Sequence, residues 1–426
     1  MRGFGTTGGE GFRGGITVGN TFYGVWIDKV FSFDADGGAG AQLTGVPVPG
    51  TAPVICARNN AAVPDVVIVA PGDGAVILSA GAVASYPDPD VGQPNAVCFL
   101  KGFFVFTYGD GKTRTSGINS TSINTLDVAT AESKPDALYR PIPLGNGQLT
   151  LWGSASGEVW GGQNDTAYPF SYIATINRGI VGPYAIAGHD DGFGKGIFAV
   201  TDDFKVSTLD GYTPVPVSPT ELDILIENEP DKTQISVSVY VAQGHGFVVV
   251  KGASWCWEYD TTLKTWHERQ SHLQTGWRGM FPVKAFDKWL CGDTLSGNLL
   301  EITGQVHDEV GDPLRMRIET GPFGSFPQAA RINTIELYLT KGAGIATGTD
   351  PVQTDPDVEI SISRDGGNKW SNPRSVKIGR QAITAGRVRS SIWGQADVQG
   401  VRWRFDESSN VPFGFMGVDM QAEVLR

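Results

Sequence analysis

Long helices are missing from this 426-residue chain: nowhere does an Ala-Glu-Lys-Leu-Arg composition join a helical apolar period. That absence excludes folds built mainly from helices. Cysteine is scarce too. Cys56, Cys98, Cys256 and Cys291 show no C-x-x-C spacing, and Cys98, Cys256 and Cys291 sit inside apolar or aromatic runs, so free buried thiols are expected in place of disulfides or a metal site. No apolar run approaches the ~18 residues a membrane span requires. The opening Met1-Arg2-Gly3-Phe4-Gly5-Thr6 has no apolar signal core, and a soluble chain without an export signal is expected.

Catalytic motifs are also lacking. Gly109-Asp110-Gly111-Lys112-Thr113 ends like a phosphate-binding loop, but Phe106 stands where the first glycine must be and no helix follows. Gly153-Ser154-Ala155-Ser156-Gly157 has Ala155 where a nucleophile elbow needs serine. The five histidines, His189, His245, His267, His272 and His307, show no metal-ligand spacing. His189-Asp190-Asp191 and Asp34-Ala35-Asp36-Gly37-Gly38 do not complete the acidic ladder of a calcium loop and read as turns. The sequence therefore predicts no catalytic residue, no cofactor and no metal.

What is abundant is turn and aromatic chemistry: 57 glycines, 25 prolines, 11 tryptophans and 21 phenylalanines. Short apolar and aromatic runs, each ended by a Gly- or Asp-containing turn, recur from Thr21 to about Gly304. The cleanest is Val66-Val67-Ile68-Val69-Ala70, the turn Pro71-Gly72-Asp73-Gly74, then Ala75-Val76-Ile77-Leu78. Others are Thr21 to Phe33, Ala96 to Phe106, Gln148 to Trp160, Gly196 to Leu209, Gly246 to Tyr259 and Lys288 to Ile302. Strands that cannot each bury a face alone must stack or close into a ring, and a loose period of ~40 to 50 residues is that of propeller blades. An all-β fold is expected, a β-propeller of about seven blades. In Tyr259-Asp260-Thr261-Thr262-Leu263-Lys264-Thr265-Trp266, Tyr259 and Trp266 are expected to pack between blades and Asp260 to set the turn.

After Gly304 the texture changes to longer alternating strands: Leu314 to Glu319, Ile332 to Thr340, Val358 to Ser363, Arg387 to Trp393, Val401 to Phe405 and Gly417 to Val424. One-sided sheets of this kind predict a C-terminal β-sandwich, with an exposed excursion from Lys341 to Asp357. Ser363-Arg364-Asp365-Gly366-Gly367-Asn368-Lys369-Trp370 matches an S-x-D-x-G-x-x-W box, read as a structural hairpin of Ser363, Asp365, Gly367 and Trp370. The expected division is a glycine-rich segment over 1–20, a propeller over 21–306 and a sandwich over 307–426.

Charge follows the same division. From Leu314 onward 14 Lys/Arg stand against 12 Asp/Glu, whereas the preceding part holds 19 against 33. The first part carries about −14, a poor surface for sequence-independent DNA binding, which depends on Lys/Arg neutralising phosphates.

The order of small motifs from Asn95 onward resembles the tail hub or nozzle proteins of short-tailed phages, the packaged-DNA stabilisation family. It runs through Leu100 to Phe106, Ala131 to Asp136, Asn146 to Gly153, Glu158-Val159-Trp160, Ile176 to Tyr184, Trp257 to Trp266, Trp277-Arg278-Gly279, Cys291-Gly292-Asp293, Gly297-Asn298-Leu299 and Arg402-Trp403-Arg404-Phe405. The resemblance implies a virion protein, not an enzyme, assembled in the host cytoplasm. It implies a homo-oligomeric ring, six copies in the family, at the distal end of the head-to-tail channel. Such a ring retains packaged DNA, passes double-stranded DNA on ejection, and meets a portal or tail adaptor above and fibre, spike or plug proteins around it. Two other classes remain open: a host-surface receptor or glycan-binding tail protein, and a propeller glycan hydrolase suggested by the box and the aromatics.

Overall fold

In the computed structural model, strands of two to ten residues fill the chain, and the described residues are 1–131, 133–163, 168–324, 328–346, 350–396 and 400–425. Glu132 of the Ala131 to Asp136 motif, and residues 347–349 of the predicted excursion, lie outside them. Gly3–Thr303 forms one compact unit, and Met1–Arg2 with Gly304–Arg426 the other.

The larger unit contains seven sheets of four or five strands among the described residues. Each of the seven strand pairs predicted from turn spacing falls in a different sheet. The Val66–Ala70 strand shows why: all five residues are buried, and it turns back on Gly74–Ser79 through Gly72 and Gly74, both at positive φ. A strand covered on both faces reads as an unbroken apolar run, and the left-handed turn positions demand glycine.

Apolar cores lie between successive sheets. Val25, Val30, Val66, Ile68 and Leu78 join the first to the second. Ile55, Val67, Val69, Phe104 and Phe106 join the second to the third, and Cys98, Val105, Leu149, Leu151 and Phe170 the third to the fourth. Phe12, Phe22, Trp26 and Phe33 of the first sheet share a core with Leu290 and Leu299 of the last. Each fully buried residue of this size contributes about 1.5–3 kcal/mol, so each of these sheets gains stability from the neighbours it packs against.

Two segments depart from expectation. Residues 1–20, set apart in the sequence by their glycines, contain the strands Arg2–Thr6 and Phe12–Val18. Arg2–Thr6 joins the sheet of Gly279–Ala285, Lys288–Asp293 and Asn298–Ile302, the last strands of the unit. Of the two glycines that hide its alternation, Gly5 is required by close approach: a Cβ there would lie 2.6 Å from the Phe33 ring. A nine-residue helix, Thr220–Asn228, interrupts the strand rhythm and buries only Leu222 and Ile226, too brief an i, i+4 signal to stand out.

The C-terminal unit holds a four-stranded sheet, in the order Met316–Glu319, Arg402–Glu407, Asp357–Ser363, Arg374–Lys377, and a three-stranded one, in the order Val388–Ala396, Ala330–Leu339, Phe415–Val424. Their inner faces share one core of Ile335, Leu337, Ile360, Ile362, Trp393, Trp403 and Phe405. Trp393 and Trp403 meet edge to face, 5.0 Å between centroids, across the two sheets. Arg374–Lys377 was not anticipated, because its charged ends and exposed edge position mask the alternation.

Candidate functional site

The predicted inter-sheet residues are in contact. Tyr259 stacks on Trp266 at 4.9 Å and packs against Phe198 of the preceding sheet at 6.1 Å. Trp266 Nε1 donates to the Val217 carbonyl, also beyond its own sheet, at 2.7 Å. Asp260 accepts from the amides of Thr262 and Leu263 through Oδ1 and contacts His245 Nδ1 through Oδ2 at 2.6 Å. Burial raises the pKa of Asp260, but the His245 hydrogen bond and the two amides outweigh it and hold the carboxyl below its ordinary value.

Ser363, Asp365, Gly367 and Trp370 form a closed hairpin. Asp365 Oδ1 accepts from Ser363 Oγ and the Lys369 amide, and the Gly367 amide donates to Ser363 Oγ. Gly366 and Gly367 both take positive φ. Trp370 lies under the Arg404 guanidinium at 3.9 Å, a cation–π contact.

Sequence reasoning missed the buried polar joints. Arg278 and Asp293 form a two-pronged pair, Nε to Oδ1 at 3.0 Å and Nη2 to Oδ2 at 2.7 Å, with Asp293 fully buried. Burial opposes ionisation of Asp293, yet Arg278, Ser296 and the Leu295 amide hold its pKa low. Glu258 accepts from Tyr240 Oη at 2.6 Å and from Arg269 Nη1 at 2.9 Å, and contacts His267 Nε2 at 2.9 Å. Burial again raises this carboxyl, and Arg269 and His267 bring it below its usual range. Glu158 accepts from Trp160 Nε1 and the Ser133 amide. The available signal was charge inside apolar strands, as in Trp257-Glu258-Tyr259, and it went unused.

The weak chemical motifs resolve into turns. Lys112 of the Gly-Asp-Gly-Lys-Thr run pairs with Asp110 at 3.0 Å and starts a strand. Asp34 and Asp190 cap local amides. Among the described residues no group of three or more His, Cys, Asp or Glu has metal-binding geometry. Cys56, Cys98, Cys256 and Cys291 are free thiols, three of them buried. No helix among the described residues is long and apolar enough to cross a membrane.

One surface is apolar where solvent would favour polarity. Leu126 and Val128 lie on the outermost strand of the third sheet, and Tyr172 and Ile173 on the outermost strand of the fourth, all exposed. Leu126 is 82% exposed. A groove between them is lined by Val128, Ser133, Glu158, Trp160 and Tyr172.

Residues 3–307 match the family model described as Bacteriophage P22 Gp10, beta-propeller. No curated protein matches the chain. Among solved structures, PorZ of the Porphyromonas gingivalis type-IX secretion system is 12% identical with a TM-score of 0.42, covering 78% of this chain and 44% of its own. The WD40 beta propeller domain of Doa1 is 10% identical with a TM-score of 0.46, covering 71% of this chain and 96% of that one. The computationally designed Ika8 protein is 12% identical at a TM-score of 0.42, with 71% of this chain and 100% of that one covered. Likeness at this level carries no functional argument.

Proposed function

We propose a function from the premise that this chain belongs to the bacteriophage P22 Gp10 β-propeller family, a phage tail structural family: it is a nozzle subunit, several copies of which ring the distal end of the head-to-tail channel. The match over residues 3–307 carries this reading. In it, the seven sheets are seven blades, with Arg2–Thr6 completing the last one, and the two facing sheets after Gly304 are a sandwich attached to the propeller. The ring retains packaged DNA, conducts it outward on ejection, and offers a platform to an adaptor above and to fibres, spikes or a plug.

Charge and surface support the reading. A body of about −14 repels a passing duplex, so DNA moves without adhering. Head-to-tail rings need different, complementary faces on each subunit. The apolar strip of Leu126, Val128, Tyr172 and Ile173 is a face of the kind that contact requires. Cryo-electron microscopy of the intact particle tests the proposal. The expected result is a ring of copies on the tail axis. A single copy on the capsid exterior, attachment of the isolated chain to host cells, or sugar release from surface polysaccharide would overturn it.

A further inference from the structure

The three-stranded sheet of the C-terminal unit ends in two edges of opposite charge. Its order is Val388–Ala396, Ala330–Leu339, Phe415–Val424, so the outer two strands each pair with one neighbour only. Phe415–Val424 is the less protected edge. It is ten residues long, contains no Lys, Arg or Pro, and exposes Met416, Gln421 and Val424. The edge strands of the facing sheet are four residues each and carry Arg317, or Arg374 and Lys377. A long edge without basic residues or proline is a template for another strand.

Both edge strands run antiparallel to Ala330–Leu339 and therefore parallel to each other. Their registers place Arg389 and Asp419 at one level, on either side of Glu336. All three lie on the face away from the core, since Ile335 and Leu337 are core residues and alternate residues of a strand face opposite ways. Glu336 is met by Arg387 at 3.7 Å. Arg389 and Asp419 are exposed, and among the described residues their side chains have no ion-pair or hydrogen-bond partner. Two strand spacings, roughly 10 Å, keep them from pairing with each other. Exposed Glu423 adds a second carboxylate to one edge, and Arg387 a second guanidinium beside the other.

Two acidic edges set side by side bring like charges together, which is destabilising, whereas an acidic edge fits a basic one. We propose that Phe415–Val424 of one copy pairs in parallel with residues 387–390 of a second copy, with Asp419 of the first beside Arg389 of the second. The pairing stops there, because Arg374 Nη1 takes the Ser391 and Ile392 carbonyls and Ile392 sits in a bulge at a φ of 64°. Such a contact is head to tail, so a joined pair still presents one free edge of each sign to further copies. It deepens the nozzle reading, resting on it for several copies side by side, and it is separate from the apolar strip of the larger unit.

Sedimentation velocity of the full chain over a range of concentrations tests this. Arg389→Asp and Asp419→Arg are each expected to weaken self-association by about threefold or more, and the chain carrying both to regain the native value. Because the two side chains do not touch within one copy, that recovery reports contact between copies. A second measurement mixes an Arg389→Cys chain with an Asp419→Cys chain under mild oxidation. Neighbouring strands bring Cα atoms within disulfide reach, so the mixture should yield more disulfide-linked pairs than either variant or the native chain alone. A native chain monomeric at every concentration, a double variant no better than the singles, or a mixture that cross-links no more than its components overturns the proposal. Copies joined this way in solution but absent from the tail axis would remove the nozzle reading and leave the contact. An axial ring whose copies fail both measurements would do the reverse.

Discussion

Replacing Arg278 by methionine asks what the deepest ion pair of the larger unit contributes. Asp293 has no exposed surface and Arg278 is 7% exposed, so solvent cannot take over when the guanidinium is removed. Breaking such a pair from one side costs about 3–5 kcal/mol, because the surviving charge stays buried. Asp293 keeps Ser296 Oγ at 2.5 Å and the Leu295 amide at 3.0 Å, which places the expected loss near the lower end, about 3 kcal/mol. At roughly 2–4 °C per kcal/mol, differential scanning calorimetry at pH 7 should show a fall of about 6–12 °C. The double variant Arg278→Met with Asp293→Leu should lose less than the single, since apolar replacement of both partners removes the stranded charge. In the native protein the pKa of Asp293 is depressed, so its stabilisation is present above the ordinary carboxylate value and is lost as pH falls through the lower folded one. With Arg278 gone, burial dominates and raises that pKa, so the gap between variant and native narrows toward acid. A loss under 1 kcal/mol, a double variant as unstable as the single, or a gap that widens on acidification would refute the reasoning.

Four further outcomes are expected. Glu258→Gln removes the charge that Arg269 and His267 face, and should cost about 2–3 kcal/mol in urea unfolding. Trp266→Ala loses the Tyr259 stack and the bond to Val217, and its half-buried position sets the cost at about 2 kcal/mol, read in the same denaturation. Asp365→Ala opens the exposed hairpin, seen as faster amide hydrogen exchange at Gly367 and Lys369 with little change in global unfolding. Burial pushes the thiols of Cys98 and Cys256 up to about 12, so a disulfide reagent at pH 8 should leave them unmodified until denaturant is added.

The strand rhythm was readable because burial and turn chemistry agree in the same few residues. Val66–Ala70 has apolar side chains on both faces and glycines at its turn, and both signals are local. Arg2–Thr6 was not readable, because its partner strand, Asn298–Ile302, lies some 290 residues away in the chain and its glycines make no pattern of their own. The Arg374–Lys377 edge and the Thr220–Asn228 helix failed for a related reason: each has at most two residues turned inward.

The polar joints reveal why an ordered series of weak motifs carried a family resemblance that no single one specified. Trp277-Arg278-Gly279 and Cys291-Gly292-Asp293 look unrelated in the sequence, yet Arg278 and Asp293 are the two halves of one buried pair. Glu158 and Trp160 bond to each other across one intervening residue, and Trp257 to Trp266 contains Glu258, Tyr259, Asp260 and Trp266, all engaged in inter-strand or inter-sheet contacts. An apolar core tolerates exchange among residues of similar volume, so it leaves little order to recognise. A buried ion pair does not tolerate exchange of one partner. The link between such fragments emerges only when the fold brings the halves together.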